Sequence, residues 1–114
     1  HVFRGEALPP PLARSLAGWN TAPYRAMQGP NEFLYVGNLK DWSRLADLRA
    51  VRVPTFVFCG RWDEQTPACA MRMVDRLPFV EFHVFEASSH MPFWEEQDSY
   101  RARLIDFLGR RRPV

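Results

Sequence analysis

VPTFVFCGRWDEQTP, Val53–Pro67, decides the fold of this chain. Val53–Cys59 is an almost unbroken apolar run of strand length, the composition of a parallel strand buried on both faces. GRWDEQ then turns the chain, and Thr66 followed by Pro67 supplies an N-cap and a first helical residue. Met71, Val74 and Leu77 carry one apolar face onward until Pro78 ends the helix. Val80–Phe85, VEFHVF, alternates apolar and polar over its first four residues, as a strand with one wetter face does. A helix is predicted over Trp94–Gly109, with Tyr100, Leu104, Ile105, Phe107 and Leu108 facing inward and Gly109 ending it. Strand–helix–strand–helix with short connections makes a right-handed parallel crossover, so the fold class is α/β.

Working outward, Leu39, Trp42, Leu45 and Leu48 recur at a spacing of three and predict a helix within 31–52, capped by Asn38 or Asp41. Residues 1–30 are irregular: Pro9–Pro11, a short helix over Leu12–Ala17, then Trp19, Pro23 and a helical turn at Tyr24–Met27. Their large apolar side chains lack a long period, which fits the tail of a small helical lid better than an independent domain. The domain reading is therefore 1–30 as the tail of a helical lid or cap and 31–114 as the core segment.

At 114 residues the chain is long enough for one small core, and 46% hydrophobic with 25% charged residues reads as soluble and globular. A net charge of +2 gives no argument for nucleic acid. The basic run Arg110–Arg112 reads as a solvated helix end. No apolar stretch is long enough to span a membrane. The start, HVFRGEAL, has no signal pattern, so a cytoplasmic location is expected; it also lacks Met, which suggests a start further upstream. Cys59 and Cys69 lack metal-ligand spacing and are expected to be free thiols.

Asp63 lies on the turn that leaves the first strand, and His90 on the turn that leaves the second. The carboxyl ends of parallel strands are where α/β sheets place reacting groups. Consecutive strands make the two loops neighbours, so His90 can donate one ring N–H to Asp63 and use its other nitrogen as a base for a serine. Acid after one strand and histidine after the next is the last two thirds of the Ser…Asp…His order of the α/β-hydrolases. The first third is absent: there is no G-x-S-x-G in the chain. Its five serines are Ser15, Ser43, Ser88, Ser89 and Ser99, and none has glycines placed to expose it on a strand-to-helix elbow. His83, mid-strand, reads as an exposed side chain on the wet face.

MQGPNEF (Met27–Phe33), GNLKDWS (Gly37–Ser43), VPTFVFCGRWDEQTP (Val53–Pro67) and SSHMPFWEE (Ser88–Glu96) together resemble the C-terminal portion of the proline iminopeptidases, α/β-hydrolase aminopeptidases. The resemblance runs from about residue 24 to about residue 108, and GPNEF is its most specific part. It implies the last two parallel strands of an α/β-hydrolase fold with flanking helices, preceded by the end of a helical lid. It implies Asp63 as triad acid, His90 as triad base, and Glu32 with Glu64 as the carboxylates that bind the substrate's free α-amino group. Paired carboxylates favour an ammonium, while a neutral amide gains little from them. Trp62, Phe33 and Trp94 are candidates for the wall of the proline pocket. No metal or organic cofactor is implied.

The partner expected is a peptide with a free N-terminus, and the serine must come from the N-terminal hydrolase half, in the same gene or another chain. Two other readings stand beside this one. An esterase or amidase of the same fold would have no use for the glutamate pair. A truncated, inactive remnant or interaction module would explain the absent nucleophile. In that case the uncovered edge of the first strand predicts oligomerisation or poor solubility for the chain expressed alone.

Overall fold

The computed structural model describes residues 3–110, which leaves His1, Arg111 and Arg112 outside the described residues. Two compact units are present, one formed by residues 3–6 and 45–110, the other by Ala7–Arg44.

In the first unit, strand β1 (Thr55–Gly60) pairs in parallel with strand β2 (Val80–Phe85), register Thr55 to Val80 through Gly60 to Phe85. The strand begins two residues later than the apolar run, because Thr55 Oγ1 turns back onto the Val53 carbonyl at 3.1 Å and Val53 is exposed. Between the strands runs α3 (Pro67–Val74), preceded in the chain by α1 (Pro10–Ala17) and α2 (Thr21–Met27) of the other unit. Thr66 caps α3, its hydroxyl oxygen accepting from the Cys69 amide at 3.4 Å, and Pro67 takes the first helical position. Leu77 lies past the helix end but is still buried.

After β2 the chain forms α4 (Pro92–Glu95) and α5 (Gln97–Gly109). The single helix expected over Trp94–Gly109 is thus broken at Glu96, whose φ of −130° and ψ of 51° are not helical. Tyr100, Leu104 and Phe107 turn inward, and Phe107 stacks on Phe56 with ring centroids 5.5 Å apart. Ile105 and Leu108, expected inward, are 69% and 56% exposed. A thirteen-residue helix against one two-stranded sheet can cover only a single stripe of its surface.

Phe58 stands edge-on to Phe85 at 5.9 Å and to Tyr100 at 5.4 Å, and the buried apolar core among the described residues is Cys59, Leu77, Phe85 and Met91. β1 has the composition of a central strand, yet four of its six residues are only half-buried and β2 is its one described strand neighbour. Its second edge is open among the described residues. His83 is half-buried rather than exposed: its ring stands edge-on to Phe85 at 4.6 Å, and burial, then Arg103, lowers its pKa.

The second unit contains α1 (Pro10–Ala17) and α2 (Thr21–Met27), the latter capped by Asn20, with Trp19 packed edge-on to Tyr24 at 4.8 Å. No helix follows from residue 31. Val36, Gly37, Asn38 and Leu39 instead donate their amides back to the carbonyls of Gln28, Gln28, Ala26 and Met27 at 2.8–3.0 Å. The only helical turn in the predicted stretch is a 3-10 helix, Leu45–Ala50, which belongs to the first unit. Leu45 and Leu48 are half-buried there, while Trp42 is 65% exposed.

Candidate active site

β1 ends at Gly60, and the backbone leaves it through a turn in which the Asp63 amide donates to the Gly60 carbonyl at 3.3 Å. The Asp63 carboxylate caps the next turn, Oδ1 accepting from the Gln65 amide at 2.9 Å. β2 ends at Phe85 and leads into Glu86–Met91, which carries His90. Adjacent strands bring the two loops together. His90 Nδ1 lies 3.0 Å from Asp63 Oδ1, with the carboxylate side chain 7% exposed and the imidazole 42%. A carboxylate only accepts, so Nδ1 carries the ring proton and Nε2 is left as a base.

Several contacts join the acid loop to the histidine loop. Arg61 forms a bidentate pair with Glu86 at 2.6 and 2.7 Å, which holds the Glu86 carboxyl below its ordinary pKa. The Trp62 amide donates to the Ser88 carbonyl at 3.0 Å, and Trp62 Nε1 donates to the Glu86 carbonyl at 3.2 Å. Gly60 sits under the same loop, and a Cβ there would run into the carbonyl oxygens of Ser88 and Ser89.

A cavity of about 580 Å³ opens beside the pair, lined by β1 from Thr55 to Cys59 and by Asp63, Gln65, His90, Phe93 and Tyr100. No serine lines it. Ser88 and Ser89 are fully buried, and their hydroxyls donate to Glu96 at 2.6 Å and Glu95 at 2.9 Å. Neither is available as a nucleophile.

Of the other residues singled out from sequence, Glu64 is half-buried one residue past the acid. Trp62 is 55% exposed, with the Arg4 guanidinium 4.8 Å from its ring centre. Trp94 is 37% exposed at the middle of α4, and neighbouring Phe93 is the aromatic that lines the cavity. Glu32 and Phe33 belong to the second unit. There Gly29 adopts a φ of 138°, open to glycine, and the Asn31 side chain accepts from the Phe33 amide at 2.9 Å, so GPNEF folds as a tight turn with Glu32 exposed on it. Among the described residues no three His, Cys, Asp or Glu side chains are grouped to hold a metal ion, and no helix is long and apolar enough to cross a membrane.

Sequence reasoning missed the contacts made by Glu95, Glu96 and Gly60. A signal for the first two was present: paired serines before the histidine and paired glutamates five and six residues after it.

No family model matches the chain. It is 40% identical over 109 residues to a proline iminopeptidase of Heyndrickxia coagulans, a match over 95% of this chain and 38% of that protein. The crystal structure of a proline iminopeptidase from Mycobacterium smegmatis superposes with a TM-score of 0.88 at 39% identity, over 96% of this chain and 38% of that one. An α/β fold family hydrolase from Bacillus anthracis superposes with a TM-score of 0.57 at 30% identity, over 60% of this chain and 25% of that one. The chain thus spans about 38% of the length of these two proline iminopeptidases.

Proposed function

The chain matches the C-terminal portion of the proline iminopeptidase family of α/β-hydrolases, and from that premise we propose that it supplies the acid and base of a Ser–Asp–His triad. The serine comes from polypeptide outside these 114 residues, and the reaction is release of an N-terminal proline or similar residue. The observation that carries this reading is the 3.0 Å contact between His90 Nδ1 and the buried Asp63 carboxylate beside a cavity.

The chemistry runs through His90 Nε2. It takes the serine proton as the oxygen attacks the scissile carbonyl, then gives that proton to the departing amine as the acyl-enzyme forms. Asp63 holds Nδ1–H and stabilises the imidazolium while it lasts. In the second half His90 activates a water that attacks the ester carbonyl, and the proton returns to the serine as the acid leaves. Glu32 and Glu64 are the carboxylates that the family resemblance assigns to the free amine of the substrate; a carboxylate favours an ammonium while a neutral amide gains little, which makes a blocked amine a poor substrate.

The test uses the serine-bearing polypeptide that contains this chain, with proline p-nitroanilide and its N-acetyl derivative. A hydrogen bond to a charged group contributes about 1.5–3 kcal/mol, so Glu32→Gln should lower kcat/KM for the free amine by about 10- to 100-fold and leave the acetylated compound unchanged. Equal rates on both compounds, unaffected by Glu32→Gln, would make the protein an esterase or amidase. Absence of turnover in any assembly that contains the chain would make it an inactive remnant, as the engaged hydroxyls of Ser88 and Ser89 also allow.

A further inference from the structure

The loop that carries His90 is held by two sets of contacts. Gly60 lies against its carbonyl oxygens. Two consecutive carboxylates take its amides and hydroxyls. Glu95 Oε2 accepts from the Ser89 amide at 2.9 Å and the Met91 amide at 3.2 Å, the residues on either side of His90. Glu95 Oε1 accepts from the Ser89 hydroxyl at 2.9 Å and from the Arg4 amide at 2.7 Å. Glu96 Oε2 accepts from the Ala87 amide at 3.0 Å and the Ser88 hydroxyl at 2.6 Å.

We infer that Glu95 is the positioning residue for His90, clamping the loop on both sides of the imidazole, and that Glu96 is an auxiliary anchor further upstream. This rests on the reading of His90 as the base, and it adds a residue that acts through His90 without touching the substrate. The break between α4 and α5 follows from the same demand. Helical geometry at Glu96 would continue α4 straight on, whereas the observed kink lets two neighbouring side chains reach the same loop. The two serines are buried here because the carboxylates need donors, which accounts for their presence beside the histidine without any nucleophilic role.

The two glutamates differ in a way that can be tested. Glu95 uses both oxygens as acceptors, so an amide at this position turns its NH₂ toward at least one backbone N–H, which can only donate, whichever way it is rotated. Glu96 contacts the loop through one oxygen, and glutamine can place its carbonyl there. In the serine-bearing polypeptide, Glu95→Gln should therefore lower kcat by about 10- to 100-fold, the scale of an ångström misplacement of a catalytic group, with KM little changed. Glu96→Gln should leave kcat within about threefold, the conservative variant satisfying the loop.

A readout independent of turnover is the downfield proton resonance of His90 Nδ1–H bonded to Asp63. Glu95→Gln should shift or broaden it and Glu96→Gln should preserve it. If the wild-type protein shows the resonance but no aminopeptidase turnover, the functional reading fails and the clamp is judged on the resonance alone. If Glu95→Gln does not fold, Ser89→Ala decides, since it removes one donor to Glu95 and keeps the carboxylate; a lowered kcat with a shifted resonance supports the clamp. A wild-type resonance and kcat in Glu95→Gln or in Ser89→Ala would overturn it, as would equal impairment by Glu95→Gln and Glu96→Gln.

Discussion

Replacing Gly60 with alanine adds one methyl group at the point where the acid strand ends and the histidine loop crosses over it. The nearest atoms to that methyl are the Ser89 carbonyl oxygen, the Ser88 carbonyl oxygen and the Ser88 carbonyl carbon, all well inside van der Waals contact. All three are backbone atoms and cannot swing aside as a side-chain tip can. Gly60 is not in the left-handed region, which among the described glycines only Gly29 occupies, so the effect is steric and not conformational. Overpacking costs about 1–3 kcal/mol where side chains can adjust, and rigid neighbours put this site at the upper end. At about 2–4 °C per kcal/mol for a protein of some 150–250 residues or more, Gly60→Ala should lower the melting temperature of the serine-bearing polypeptide by roughly 6–12 °C. Restoring normal spacing moves the loop by roughly 1 Å, so kcat should also fall by about 100-fold. Gly109→Ala is the control, because nothing lies within 4 Å of a Cβ there and alanine favours the helix by about 0.5–1 kcal/mol. Differential scanning calorimetry and steady-state kinetics on the two variants read both effects. A Gly60→Ala protein that melts with the wild type and turns over normally would refute the packing of the histidine loop described above.

Three further outcomes follow from single side chains. Thr66→Ala removes the cap of α3 and should destabilise by about 1 kcal/mol, read by urea titration, with Thr66→Ser recovering most of the loss. Of the two free thiols, exposed Cys69 should react at once with a thiol reagent and buried Cys59 only after unfolding. Burial, and after it Asp63, raises the Cys59 pKa, so its contribution to stability is present below the ordinary thiol pKa and is lost as pH rises through the raised value. Cys59→Ser should flatten that alkaline loss; an unchanged alkaline limb would remove Cys59 as its cause.

Much of this arrangement was legible in the chain because it is written in short, local signals. VEFHVF became a strand with the expected bounds, and Thr66–Pro67 opened a helix as cap and first residue. Asp63 and His90 could be paired because each follows its own strand, and parallel pairing puts consecutive loops side by side. Readings that depended on partners outside the local window fared worse. The three-residue spacing from Leu39 to Leu48 suggested one helix, but the amides of Val36–Leu39 find carbonyls in Ala26–Gln28 instead, and a periodic pattern contains no record of that competition. The helix expected over Trp94–Gly109 from its apolar face is broken at Glu96, although glutamate favours helix by propensity. The buried donors of the histidine loop outweighed that preference. Ile105 and Leu108 were expected inward from period alone, without knowledge of how little sheet there is for α5 to cover.

The central claim, that Asp63 and His90 work as the acid and base of a serine hydrolase, is tested most directly by the turnover of proline p-nitroanilide in the serine-bearing polypeptide with Asp63→Asn. Asparagine fits the same space but can present its NH₂ to His90 Nδ1 and favour the wrong tautomer, so the account predicts a fall in kcat of about 10⁴-fold with KM nearly unchanged. Activity within about tenfold of wild type, too small a loss for a triad acid, would contradict it.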